Sequence, residues 1–409
     1  LAILDSVFGA STSSRLFHHL GASILRQTIC GPTAGLGATI TLGTPFGIDP
    51  LDLRHSRHIV LWGTNTRVTN RHLWPVIEQA RTAGARVVVV DPLRTATAEA
   101  ADEHVQLLPG TDVALALGVL HELIALDLVD RDYVERCTTG FDQLADAASA
   151  WTPERTAEVC GLDAAAVTRL ATDLGTIRPS AVRVLIGAEH TAQGAEAFRA
   201  IACIPSITGA WRDRGGGLCR STGVYAGHAL DDDALQRPDL LAGRTPRSFD
   251  MGRLGDALCE PTLDPPVTAL VVFNSNPAAI VPDRRRVLQG LARDDLFTVV
   301  LEQTLTDTAR YADVVLPATT QLEHLDLVPA WGHLYLGLNR PAIAPVGESL
   351  PNTEIFRRLA TALGVNEPAV FASDEELLAD ALSSGAPLLD GIDRERLERD
   401  TWVRLALPE

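Results

Sequence analysis

Apolar residues in this chain gather in short unbroken runs, separated by longer segments with helical spacing. The runs His58-Ile-Val-Leu-Trp62 and Arg86-Val-Val-Val-Val90 close on Gly63 and on Asp91-Pro92. Continuous runs with such stops predict strands buried on both faces, as in a parallel sheet. Between them the spacing predicts a helix to about Arg81, ended near Gly84, with Pro75 delaying its first regular turn. Residues 105–108 are expected as a third strand. Asp112 is then placed to cap a helix over 113–126. Thr152-Pro153-Glu154 begins another helix, ending near Gly161, and Asp163 caps one running to Gly175. Residues 181–187 read as a new strand, and the change of domain is placed there; a helix from Gln193 to Gly209 follows.

Residues 212–262 lack a clear period and predict a long irregular excursion. Regularity returns with a strand at 268–273, a helix after Pro282, and strands at 296–301 and 312–316. Residues 350–354 cap a helix to about Gly364. Residues 366–409 are an acidic, weakly amphipathic tail in which Trp402-Val-Arg-Leu405 looks like the start of a strand. Strands alternating with helices imply an α/β fold with two doubly wound, mostly parallel sheets.

The 409 residues, 46% hydrophobic, are enough for two cores. A net charge of -17 argues against nonspecific nucleic-acid binding. All 35 basic residues are Arg, which reads as genomic base composition before chemistry. The six Cys form no CxxC pair, so the usual spacing for zinc ribbons and iron–sulfur clusters is missing. Scattered thiols suggest a cytoplasmic protein, and no apolar run is long enough for a membrane helix. The chain starts at Leu1 and is expected to be an excised segment.

Polar residues concentrate where strands pass into helices, the edge at which open α/β sheets bind phosphorylated ligands. In the first half these are Gly63-Thr64-Asn65, Asp91, Arg94-Thr95, and Gly110 with Asp112, joined by Gly187 at the end of the 181–187 run. Glycine lets backbone approach a phosphate, and Arg and Thr suit one. Asp91 can hold a ribose or a guanine edge; Asp112 is either a cap or an acceptor for a guanine amino group. In the second half Asn274 and Asn276-Pro277 take the place of Gly63 to Asn65, followed by Glu302, Thr306, Thr308 and Asp313. Thr306 and Thr308 also fit plain helix capping. Gly31, Gly35 and Gly37 do not have the dinucleotide-fold spacing. Cys30, just before them, is either a small buried hydrophobe or a thiolate able to ligate a soft metal. The paired His residues suggest no third ligand.

Taken in order, Leu61-Trp62-Gly63-Thr64-Asn65, Asp91-Pro92-Leu93-Arg94-Thr95-Ala96, Pro109-Gly110-Thr111-Asp112, Gly209-Ala210-Trp211, Asn276-Pro277 and residues 306–317 with Glu323 resemble the prokaryotic molybdopterin oxidoreductases. The resemblance implies molybdenum or tungsten held between two molybdopterin guanine dinucleotides, one along each α/β domain. It implies two-electron oxygen-atom or hydride transfer on a small substrate, with an electron-transfer subunit or carrier as partner. It assigns Cys30 as metal ligand and likens Arg199 to an arginine near the metal of formate dehydrogenases. Gly31 stands where those enzymes carry His, which counts against formate.

The resemblance also places residues 1–30 with 181–365 in a discontinuous second domain, with 31–180 as the first. It implies an iron–sulfur segment before this chain and a cofactor-covering domain after it, so that the segment alone is an incomplete enzyme. Two other readings share the fold: an electron-transfer scaffold like the large iron–sulfur subunit of NADH dehydrogenase, and a non-redox hydratase.

Overall fold

The computed structural model describes residues 6–407. These divide into two compact units, one of residues 30–224 with 331–333, the other of residues 6–29, 225–330 and 334–407. Among the described residues no helix is long and apolar enough to cross a membrane.

The first unit is built on a five-stranded parallel sheet. Its strands are β1 (His58–Trp62), β2 (Arg86–Val90), β3 (Glu103–Val105), β4 (Ser180–Val184) and β5 (Gly217–Cys219), in the spatial order β3-β2-β1-β4-β5. Val60, Trp62, Val88 and Val90 point into one core and Ile59, Leu61, Val87 and Val89 into another. Both faces are covered, which is why these strands read as unbroken apolar runs. Three helices matter for the site: α1 (Pro32–Leu42), α2 (Asp112–Ala125) and α3 (Gly194–Ile207). The strand order reverses between β1 and β4, so their carboxyl ends flank a topological switch point.

The expected boundary at 181 does not fall there. Residues 180–184 pair in parallel with β1, His58 opposite Ser180, so this strand completes the first sheet rather than opening a second. The excursion after 212 is likewise more ordered than its composition suggests. Its first residues form edge strand β5, and Asp231 caps a short helix by accepting the Ala234 N–H at 2.9 Å. The predicted third strand starts earlier and ends at Val105. The single helix expected after β1 is two, Thr66–Thr69 and Trp74–Thr82. Gly35 and Gly37, after Cys30, lie within helix α1.

The second unit holds a three-stranded parallel sheet, β6 (Ala269–Phe273), β7 (Phe297–Glu302) and β8 (Val314–Pro317), in the order β8-β7-β6. It also holds an antiparallel sheet of β9 (Asp326–Pro329), β10 (Tyr335–Asn339) and β11 (Trp402–Arg404). The strand at 402 therefore finishes a sheet within this unit, opposite residues 335–337. The tail is packed rather than trailing: Leu377, Leu378, Leu397 and Val403 are buried.

One buried carboxylate ties this unit together. Asp326 Oδ1 accepts the N–H of Phe8 at 3.1 Å, at the start of the helix Val7–Leu20, and that of Leu327 at 2.8 Å. Burial lifts its carboxyl to about 6, against the pull of those donors. The folded state therefore holds the proton more tightly than the unfolded chain. Stability from this group is present below the ordinary carboxylate range and is lost as pH rises through about 6. A shift of that size is worth about 3 kcal/mol at most. Asp326→Asn should remove this dependence: denaturation of variant and wild type at pH 4.5 and 7.5 should show the variant gaining relative stability at the higher pH. An equal difference at both pH values would exclude Asp326 as the source.

Candidate cofactor and metal site

The loops after β1 and after β6 follow one plan at a constant spacing of 211 residues (65 to 276, 97 to 308, 102 to 313). Asn65 Oδ1 accepts the Thr97 hydroxyl at 2.8 Å, and Thr97 Oγ1 accepts the Arg67 N–H at 3.0 Å. Asn276 Oδ1 accepts the Thr308 hydroxyl at 2.7 Å, and Thr308 Oγ1 accepts the Ala278 N–H at 3.0 Å. Asp102 receives the Val87 N–H and Asp313 the Thr298 N–H, each at 2.7 Å. Thr95 and Thr306 accept the N–H of Ala98 and Ala309 at 3.2 and 3.3 Å. The positions opening the two loops, Gly63 and Asn274, both have positive φ, +59° and +51°.

These bonds change the part played by several expected ligand contacts. Asn65, Thr95, Asn276, Thr306, Thr308 and Asp313 spend side-chain oxygens on holding their own loops. Asp91 and Glu302, at the matching strand ends, take the nearby N–H of Leu93 and Gln303 at 2.8 Å. Arg94 is exposed beside the first loop. Gly110 turns the chain into α2 at φ +79° with open space where a side chain would stand.

Asp112 does not cap α2. Thr111 holds the cap position, and Asp112, buried, accepts the Trp62 indole N–H at 2.8 Å. Its carboxyl is pushed up, chiefly by burial. Asn352 and Thr353 likewise lie inside the helix they were expected to cap, behind Pro351.

Gly63 makes its close approach to protein backbone rather than to open space. A Cβ there would lie 2.5 Å from the Ala188 nitrogen, and one on Gly187 would lie 2.7 Å from the Gly63 oxygen. The Gly187 N–H donates to that oxygen at 2.9 Å. The loops after β1 and β4 are thus clamped together across the switch point.

Beyond that clamp stand Glu189 and His190, and with them Cys30. The sulfur, one carboxylate oxygen and one imidazole nitrogen all lie within 4.8 Å of one another. Glu189 is buried, Cys30 half-buried and His190 exposed. Glu189 Oε1 accepts the N–H of Gly31, the residue that caps α1. Burial and then the Glu189 charge push the Cys30 thiol up; burial also raises Glu189, against the Gly31 bond.

Arg199 is not brought into this cluster. It sits on α3, pairs with Glu196 at 3.5 Å, and lines a cavity of about 1100 Å³ with Phe46, Arg136, Phe141, Cys203 and Trp211. Cys30, Glu189 and His190 are not among that cavity's walls.

The residues present fit the group that the resemblance implies. Cys30 offers a thiolate for a soft metal at the switch point. Beside the second loop Ser275 Oγ, Asn352 Oδ1 and Thr353 Oγ1 are buried with no partner, although the other end of the Asn352 amide donates to Asn274 at 3.1 Å. Buried polar atoms left unpaired are costly, and a ligand rich in hydroxyl and amino groups would satisfy them. Ser275, Asn352, Thr353, Glu189 and His190 were missed as site residues from sequence. Only Ser275 left a signal there, because it stands where Thr64 stands in the first loop.

Comparison with known proteins shows the family. The molybdopterin oxidoreductase family pattern matches residues 13–362, and the chain belongs to that family. It is 40% identical over 392 residues to the probable oxidoreductase YoaE of Bacillus subtilis (strain 168), covering 95% of this chain and 57% of that protein. It is 28% identical over 366 residues to the F420-dependent formate dehydrogenase subunit alpha of Methanocaldococcus jannaschii, covering 85% of this chain and 53% of that one. Among solved structures, acetylene hydratase from Pelobacter acetylenicus matches with a TM-score of 0.77 at 23% identity, over 98% of this chain and 59% of that one, a likeness of fold. The chain spans little more than half the length of these relatives.

Proposed function

We propose that this chain is the central part of the catalytic subunit of a molybdenum or tungsten enzyme holding two molybdopterin guanine dinucleotides. The reaction is two-electron oxygen-atom or hydride transfer on a small substrate, with electrons exchanged through a separate carrier or subunit. The observation that carries this reading is the pair of loops built on one hydrogen-bond plan, each at the carboxyl end of a parallel sheet, where dinucleotides bind. Relatives named as oxidoreductases favour redox over hydration.

When bound, the metal–pterin group supplies the electron-accepting or electron-donating centre. The chain's own residues bind and orient it. Thr64, Arg94 and the Gly110 turn line the first nucleotide site; Ser275, Asn352 and Glu302 line the second. Cys30 offers its thiolate to the metal, and Glu189 fixes the Cys30–Gly31 turn by accepting the Gly31 N–H.

The test is elemental analysis and acid-released GMP on the natively purified full-length protein. The expected content is about one molybdenum or tungsten atom and about two GMP per chain, as a bound cofactor of this kind requires. Iron without molybdenum, tungsten or GMP would leave the electron-transfer scaffold instead.

A further inference from the structure

We propose that Cys30, Glu189 and His190 form a site for a borderline-soft divalent cation of the zinc class, filled without any pterin. The site shares Cys30 with the proposed molybdenum centre but depends on neither nucleotide loop.

Thiolate, carboxylate and imidazole are the three ligand types that zinc takes in proteins. Bond lengths of about 2.0–2.3 Å put the ligand atoms of one such ion roughly 3.3–3.8 Å apart. The three atoms here, all within 4.8 Å of one another, reach that spacing by side-chain rotation, and exposed His190 is free to make it.

The cluster's electrostatics favour a cation. A buried carboxylate lies within 4.8 Å of a half-buried thiol, so their two negative charges would repel each other there. An ion bound to both would turn their repulsion into ligation.

The backbone is built for ligation as well. Gly31 holds Glu189 Oε1 through its N–H, leaving Oε2 to turn toward the sulfur. Such an outer bond is what fixes a metal-binding carboxylate. Gly31 itself has φ +76° and no atom within 4 Å of where a Cβ would stand. Three protein ligands leave a zinc-class ion one exchangeable position for water.

One consequence is competition: a divalent cation at this trio must leave before a pterin-borne metal can take the Cys30 thiolate.

The test titrates the full-length protein, produced in a host unable to make pterin, with Co²⁺ and then Zn²⁺. The expected result is a sulfur-to-cobalt charge-transfer band with four-coordinate d–d bands, saturating at about one ion per chain and displaced by Zn²⁺. Cys30→Ser should abolish the charge-transfer band. Glu189→Gln keeps an oxygen for the Gly31 N–H but loses the anionic ligand, so it and His190→Ala should each weaken Zn²⁺ binding about tenfold or more. Circular dichroism checks each variant's fold; should Cys30→Ser misfold, the wild-type band and Glu189→Gln decide. Cobalt binding without a charge-transfer band, or with affinity untouched by both Glu189→Gln and His190→Ala, would overturn the proposal. Its failure beside native molybdenum and GMP leaves the pterin reading intact. Cobalt bands in a protein that natively holds neither metal nor GMP would sink that reading alone.

Discussion

Cys30→Ser in the full-length protein is expected to lower turnover by about a hundredfold or more, a loss of roughly 3 kcal/mol of transition-state stabilisation. Released GMP should stay at the wild-type level. The two effects separate because they depend on different residues. The nucleotide loops are held by Asn65 with Thr97 and by Asn276 with Thr308, and neither pair includes Cys30. A serine hydroxyl keeps the size of the side chain but is a harder, more basic and far less readily ionised ligand than a thiol. Activity is read with a redox dye as electron partner, on whichever substrate a screen of the wild type finds. Unchanged turnover would remove Cys30 from the metal. Loss of GMP together with activity would instead mean that the substitution had disturbed the fold around the first loop.

Much of the fold was legible because parallel strands buried on both faces leave unbroken apolar runs, as at 58–62, 86–90 and 268–273. What local pattern cannot say is which sheet a strand joins. Residues 180–184 fit either sheet in composition, and only their pairing with β1 assigns them to the first. Strands β9 and β10 were missed for another reason: each is short, and Pro329, Trp331 and Gly332 break the alternation between them.

The loops themselves were found, but the work of their side chains was not. The partner of Asn65 is 32 residues away at Thr97, and that of Asn276 is equally far at Thr308. The repeat was readable in principle, since Gly63-Thr64-Asn65 and Asn274-Ser275-Asn276 both place a hydroxyl residue before an amide one. Glu189 could not be read at all as a neighbour of Cys30. The two are brought together by helix packing, with Gly31 and Glu189 lying 158 positions apart.

Gly37→Val is expected to be strongly destabilising although it alters no candidate ligand. Gly37 lies midway along α1, where the helix crosses α3 so closely that an added Cβ would run into the Ala195 carbonyl and come within 2.8 Å of the Phe198 Cβ. The obstacle is backbone on one side and a fully buried aromatic on the other, so neither can yield cheaply. Overpacking of this kind costs about 1–3 kcal/mol and sometimes more, and a β-branched residue adds its own helix penalty. The helix can relieve the clash only by moving off α3. That movement carries Gly31, at the start of α1, away from Glu189, whose carbonyl lies against Gly194 at the start of α3. Gly37→Val should therefore lower the unfolding temperature and also abolish the cobalt charge-transfer band expected at Cys30. Gly35→Ala, two residues earlier, meets only an Arg220 nitrogen at 3.9 Å and should do neither. A Gly37→Val protein that melts lower but keeps the band would mean that the Cys30–Glu189 contact is set by the clamp between Gly63 and Gly187 rather than by helix docking.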